Sequence, residues 1–116
     1  MIEERLPTAL WVEALIRRAQ LEGAAAFVLQ RGDRERGDIV LKIADLRGGA
    51  KVYVPRTSME GARVFVDLES QNVGPDEASA DEYLQRAGSR DQDTWVIEIE
   101  DRAGRHFLTE PVENSS

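Results

Sequence analysis

The chain has 116 residues, with 22 acidic and 15 basic side chains, a formal charge of −7 and no cysteine. This length is sufficient for one domain that buries roughly two-thirds of the surface its unfolded chain exposes. The acidic balance argues against nucleic acid and anionic membranes as partners, and the lack of cysteine excludes disulfides, thiolate nucleophiles and sulfur-based zinc sites. Because the first residues also lack the cationic start of a secretory signal, we expect a cytoplasmic protein.

The segment TALWVEALIRRAQLEG predicts the first helix. Thr8 follows Pro7 and is a suitable N-cap, and Gly23 is a suitable residue for the left-handed position after a helix. At 100° per residue the apolar side chains fall on one broad face. We expect that face to cover a sheet.

Between residues 25 and 69 the apolar pattern changes to a period of two and predicts four strands. The segments AAFVLQR, DIVLKIAD, AKVYV and ARVFVDLE are separated by short stretches rich in Gly, Pro, Asp and Ser. Such short breaks suit hairpins, so we expect an antiparallel meander. Gly32 and Gly37, each beside an aspartate, are expected to be turn residues that tolerate positive φ.

The polar stretch from 70 to 90 carries apolar residues at helical spacing behind Asp76 and Glu77, which predicts a short second helix. TWVIEIED then alternates as a fifth strand. The sequence thus predicts a single α+β domain over residues 1–110, of order αββββαβ. Its antiparallel sheet has about five strands with both helices on one face, and residues 111–116 form a polar tail.

Alternation within the strands assigns side chains to two faces of the sheet. The predicted core face carries Ile39, Leu41, Ile43, Val52, Val54, Val64, Val66, Leu68, Trp95, Ile97 and Ile99. The other face, expected to be solvated, carries Lys42, Lys51, Tyr53, Arg63, Phe65, Asp67, Glu69, Val96, Glu98 and Glu100. Tyr53 and Phe65 are aromatic exceptions on this polar face. Either another element of the fold covers them, or they form a surface that binds a partner.

The fifth strand also carries a candidate chemical site. Glu98 and Glu100 project from the same face at about 7 Å spacing, which suits a divalent metal or an acid–base pair. Asp101 and His106 are further candidates for such a site. A solvated strand face is the simpler interpretation, because a functional pair needs desolvation or additional ligands. His106 is the only imidazole and no serine lies in a nucleophile-elbow pattern, so we predict no catalytic triad and no cofactor.

Over nearly its full length the sequence resembles a small alphaproteobacterial domain family of unknown function. That family's Trp-Val-x-Ala-Leu-x-Arg-Arg helix is matched by Trp11, Val12, Ala14, Leu15, Arg17 and Arg18. Its Trp-Val-x-Glu-Ile-Glu-Asp strand is matched by Trp95, Val96, Glu98, Ile99, Glu100 and Asp101. The family commonly has proline in the loop before that strand, where this chain has Gln92, so the loop is expected to be less rigid. The resemblance implies a bacterial cytoplasmic protein and no particular activity.

Three hypotheses for function follow. The first is a non-catalytic protein-interaction or regulatory module. It would bind an unidentified protein partner, or a second copy as a homodimer, through a surface formed by Tyr53, Arg63, Phe65, Glu98 and Glu100 or through an edge strand. The second is a small metal-binding or hydrolytic enzyme that uses the acidic fifth strand with His106. The third is small-ligand binding between helix and sheet near Trp11 and Trp95.

Overall fold

The structure, a computed structural model, describes residues 6–114. In this part of the chain the elements are α1 (Thr8–Leu21), β1 (Ala25–Gln30), β2 (Ile39–Ala44), β3 (Ala50–Thr57), β4 (Arg63–Asp67), α2 (Glu77–Arg90), β5 (Trp95–Glu100) and β6 (Val112–Asn114). A short 3-10 helix, Leu68–Gln71, follows β4. The α+β class and the order αββββαβ are confirmed, and β6 is an addition within the segment predicted as a polar tail.

The strands form one mixed sheet in the order β1-β5-β2-β3-β4-β6. β5 runs parallel to β2 and β6 parallel to β4, while the other neighbouring pairs are antiparallel. The prediction of a wholly antiparallel sheet was therefore wrong. It failed because β5 inserts between β1 and β2, which had been expected to form a hairpin. Skipping one strand requires the connecting loop to cross only about 10 Å, which a loop of hairpin length does easily.

The two helices lie on opposite faces of the sheet, which corrects the prediction that both share one face. α1 packs with Ile39, Leu41, Ile43, Trp95, Ile97 and Ile99, together with Tyr53 and Phe65. α2 packs with Val40, Ala50, Val52, Val66 and Val96. The sheet is thus covered on both sides. The predicted alternation is right within each strand. However, because Leu41 pairs with Tyr53, each side chain of β3 and β4 lies on the opposite face of the sheet from the one predicted.

The α1 side is closed by a stack of aromatic rings. Trp11 and Phe65 have their ring centroids 5.3 Å apart and nearly parallel, and the Arg63 guanidinium lies 5.6 Å from the Trp11 centroid. Tyr53 meets the edge of His106 at 5.4 Å. Burial of such rings contributes several kcal/mol to stability, so this stack fixes α1 on the sheet.

The loop between β1 and β2 is held tightly against the loop before β5. Asp33 N–H donates to Asp93 O at 2.9 Å, and Trp95 N–H donates to Asp38 O at 2.7 Å. A Cβ added to Gly32 or Gly37 would lie 2.1 or 2.4 Å from Asp93 O. Neither glycine has a positive φ, so both are required by close backbone approach and not by turn conformation as predicted.

Neither helix within residues 6–114 is long and apolar enough to cross a membrane.

Candidate functional site

The free edge of β1 is the most exposed apolar feature of the sheet. Among the described residues, β1 pairs only with β5, so its other edge presents unpaired backbone N–H and C=O groups. The strand AAFVLQ has no charge and no proline. Phe27 is 46% exposed and Leu29 56% exposed, and Val28 is also exposed. An uncharged apolar edge strand of this kind is a template for pairing with another chain.

A groove runs between β1 and α2, which packs mainly over β2, β3 and β5. Its volume is about 630 Å³. The groove is lined by Leu29, Gln30, Ala78, Asp81, Glu82, Leu84, Gln85, Gly88, Ser89 and Val96. Gln30 is fixed in this lining, because its side-chain amide donates to Thr94 O at 2.8 Å. The groove and the free edge of β1 form one continuous surface, which we call the β1 edge surface.

A buried ion cluster lies on the same side of the sheet. Lys42 is only 1% exposed, although it sits in the middle of β2. Its Nζ donates to Glu77 at 2.7 Å, Asp81 at 2.6 Å and Glu98 at 3.2 Å. Glu77 and Asp81 come from the first turns of α2 and Glu98 comes from β5. The cluster therefore ties α2 to the two central strands, and Asp81 connects it to the groove.

The protonation states in this cluster follow from burial and charge. Burial lowers the pKa of Lys42, but its hydrogen bonds to Asp81, Glu77 and Glu98 outweigh that effect and hold the pKa above its ordinary value. Burial raises the pKa of Glu98, and the Lys42 ammonium partly opposes the rise. A lysine held charged among three carboxylates is neither a nucleophile nor a base, so the cluster is structural.

The structure separates the residues that the sequence placed on one interaction surface. Tyr53 and Phe65 are 4% and 0% exposed, and they lie under α1 and the chain that follows β5. The alternative that another element covers them is therefore correct, and a partner cannot reach their rings. Glu98 lies on the opposite face, against Lys42. Burial raises the pKa of Tyr53, as expected for a covered phenol.

The proposed acidic site on β5 is not assembled either. Glu98 belongs to the α2 side, whereas His106 contacts Tyr53 on the α1 side. His106 Nδ1 accepts the Leu108 N–H at 2.9 Å, and burial, together with Lys51, lowers the pKa of its imidazole. The Asp101 carboxylate forms an ion pair with Arg105. Within residues 6–114, no group of three or more carboxylate or imidazole side chains is arranged to hold a metal ion.

Asp101 has a structural role at the turn after β5. Its carboxylate accepts from the Arg105 backbone N–H and from two guanidinium nitrogens, at 2.8 to 3.0 Å. The Arg105 guanidinium holds the pKa of Asp101 below its ordinary value. The stabilisation is therefore present above the unfolded-state pKa, and it is lost as the pH falls through the folded-state pKa.

We expect Asp101→Asn to lower the free energy of unfolding by about 1–2 kcal/mol at neutral pH. The deficit should shrink on acidification, because the wild-type carboxylate is then protonated as well. Urea unfolding at several pH values measures this, with Glu13→Gln, at an exposed position on α1, as control. Wild-type and Asp101→Asn stabilities that fell in parallel to acid pH would contradict this role.

Trp11 and Trp95 belong to the buried core on the α1 side of the sheet. Trp11 Nε1 donates to Glu110 Oε2 at 2.6 Å, and Trp95 Nε1 donates to Asp33 O at 2.8 Å. Trp11 and Trp95 are 7% and 3% exposed. Both indole N–H groups are satisfied by the protein, so the geometry gives no support to a small-ligand site between them.

Comparison with known proteins identifies the family. The profile of the protein family of unknown function DUF1491 matches residues 6–109. The chain belongs to the DUF1491 family. A crystal structure of a DUF1491 protein from Caulobacter crescentus CB15 has a TM-score of 0.86 and 45% identity, and the alignment covers 93% of this chain and 99% of that one. The resemblance to a family of unknown function is thus confirmed.

Two further solved structures are similar to this chain. An NMR structure of a DUF1491 protein from the same organism has a TM-score of 0.82 and 44% identity over 95% of this chain and 98% of that chain. A solution structure of a protein from A. tumefaciens has a TM-score of 0.73 and 28% identity over 92% and 95%. No curated protein matches the chain.

The region matched by DUF1491 contains β1, α2 and the Lys42 cluster, and it ends before β6. Sequence reasoning allowed binding through an edge strand but did not identify β1 as that strand, and it missed the cluster, which is the one of the two that has a sequence signal. In IVLKIA, a single lysine interrupts an apolar strand, which is typical of a buried and paired charge. In AAFVLQ, apolar residues occupy both alternating positions, a pattern that central and edge strands share.

Proposed function

We propose that this protein is a non-catalytic interaction module that binds an extended segment of a partner protein. The segment would be added as a further strand to β1. The observation that carries this proposal is the free edge of β1, where unpaired backbone groups coincide with exposed Phe27, Val28 and Leu29. Main-chain pairing would supply affinity, and alternate side chains would enter the groove.

The two edges of the sheet support the choice of β1. The other edge strand, β6, has three residues, and its Glu113 forms an ion pair with Arg56. Short length and charge are the usual protections of an edge strand. β1 has six residues and no charge, and its only irregularity is a bulge between Val28 and Gln30. The strand is therefore regular and open from Ala25 to Val28.

The negative charge of the chain favours a segment of another protein, and not a second copy of this chain, as the strand that pairs with β1. Antiparallel pairing of two β1 strands would join molecules that each carry a formal charge of −7. It would also bring the acidic rims of two grooves onto one continuous sheet. An extended segment of opposite charge avoids this repulsion.

The proposal is tested with a short synthetic peptide of alternating valine and lysine, measured by isothermal titration calorimetry. We expect the double variant Phe27→Ser, Leu29→Ser to weaken binding by about tenfold or more, since it removes the apolar contacts of the edge. The matched control Leu10→Ser, Met59→Ser removes two exposed apolar side chains elsewhere and should leave the affinity unchanged. A peptide N-methylated at alternate residues should not bind, because it lacks the donors for strand pairing.

Two outcomes would overturn the proposal. One is equal binding of the N-methylated and unmodified peptides, which would show that no strand is added. The other is a dimer in sedimentation analysis that Phe27→Ser, Leu29→Ser dissociates, since β1 would then be occupied by a second copy.

A further inference from the structure

Resting on the proposed strand addition, we infer that the groove beside β1 takes a lysine or arginine side chain of the added segment. The partner is thus an extended segment with cationic residues at alternate positions. The shape, lining and charge of the groove specify the side chains of the segment, whereas the open edge of β1 specifies only that a strand can be added.

The groove has an apolar wall and floor with an acidic rim. Leu29, Leu84 and Val96 supply the apolar lining, and Gly88 allows the Gln30 side chain to pack against α2, because a Cβ there would lie 2.9 Å from Gln30 Oε1. Asp81 and Glu82 lie on the rim, with side chains 55% and 69% exposed. Lysine and arginine match this arrangement, because their alkyl stems cover apolar surface while the charged end reaches a carboxylate.

The local charge balance leaves the groove negative. Its lining contains two carboxylates and, among the described residues, no lysine or arginine. The nearby Lys42 carries one positive charge against Glu77, Asp81 and Glu98. Arg86 pairs with Glu82 at 3.0 Å, but both side chains are largely exposed, so a cation seated in the groove can compete with this weak surface pair.

Strand geometry would direct the cationic side chains of the added segment toward the groove. Phe27 pairs with Glu98, so its side chain lies on the α2 face of the sheet. A strand added about 4.8 Å outside β1 would send every second side chain to this same face. Those side chains would lie beside Phe27 and Leu29 and would point along the groove, and the intervening ones would lie on the α1 face beside Val28.

The experiment compares the valine–lysine peptide with valine–glutamine and valine–glutamate peptides of equal length. We expect the lysine peptide to bind about tenfold more tightly than the glutamine peptide, and the glutamate peptide to bind most weakly. The double variant Asp81→Asn, Glu82→Gln should reduce lysine-peptide affinity to the glutamine-peptide level while leaving the glutamine peptide unchanged. Glu35→Gln, Glu60→Gln removes two exposed acids elsewhere and controls for net charge.

Asp81 also bonds Lys42, so thermal melts must first show that the double variant is folded. Glu82→Gln alone, which leaves that cluster intact, should still lower lysine-peptide affinity. Equal affinities for the lysine and glutamine peptides would overturn this inference while leaving strand addition intact. Failure of all three peptides to bind would overturn the proposed function itself.

Discussion

Phe65→Ala is expected to lower the free energy of unfolding by about 3–5 kcal/mol. The Phe65 side chain has no exposed surface and stacks on Trp11 at a centroid distance of 5.3 Å. The guanidinium of Arg63 lies 5.4 Å from the Phe65 centroid and covers the stack. Truncation therefore leaves a cavity between α1 and β4 and removes the ring against which α1 is held. Urea unfolding monitored by tryptophan fluorescence measures the loss.

Phe27→Ala is the matched control, because it removes the same side chain from a half-exposed position on β1. We expect it to cost less than about 1 kcal/mol. Had Phe65 lain on a solvated face, as alternation alone predicted, its truncation would cost no more than this. Equal stabilities of the two variants would therefore contradict the position of α1 over β4.

Lys42→Met is expected to lower the free energy of unfolding by about 3 kcal/mol. Methionine fills a similar volume, so the loss comes from the carboxylates that remain. Glu77 and Asp81 can turn toward water, but the Glu98 side chain is only 15% exposed and would keep an uncompensated charge. Chemical unfolding at neutral pH measures the effect.

Two observations distinguish this explanation from poor packing of methionine. Adding Glu98→Gln to Lys42→Met should restore part of the stability, because it removes the stranded charge. The deficit of Lys42→Met should also shrink as the pH falls, since a carboxyl with a raised pKa is protonated sooner in the folded than in the unfolded state. A deficit that depended neither on pH nor on Glu98 would contradict this role for the cluster.

Most features that depend on residues close together in the sequence were predicted correctly, whereas the pairing and register of the strands were not. Alternation identified which side chains of one strand share a face, and Gly23 follows α1 in the left-handed conformation as expected, although the N-cap of α1 is Pro7 and not the predicted Thr8. The phase between β2 and β3 depends on the register that pairs Leu41 with Tyr53, which alternation does not specify. That single register reverses the faces of β3 and β4, and it explains why Tyr53 and Phe65 were expected in solvent.

The candidate site escaped prediction for a related reason. An apolar strand has the same pattern whether it lies at the centre or the edge of a sheet, so AAFVLQ did not reveal its position. β5, from more than sixty residues further along the chain, pairs between β1 and β2, and this arrangement leaves β1 at the edge, whereas pairing on the other side of β1 would have covered it. Asp81 and Glu82 likewise flank β1 only after α2 has docked on the other strands.

Amide hydrogen exchange of the valine–lysine peptide complex, followed by NMR, tests strand addition at β1 most directly. We predict that amides within Ala25–Gln30 that point away from β5 exchange rapidly in the free protein and slowly in the complex. Amides of β6, at the opposite edge, should be unchanged. Binding without new protection in β1, or with protection confined to another element, would contradict the account.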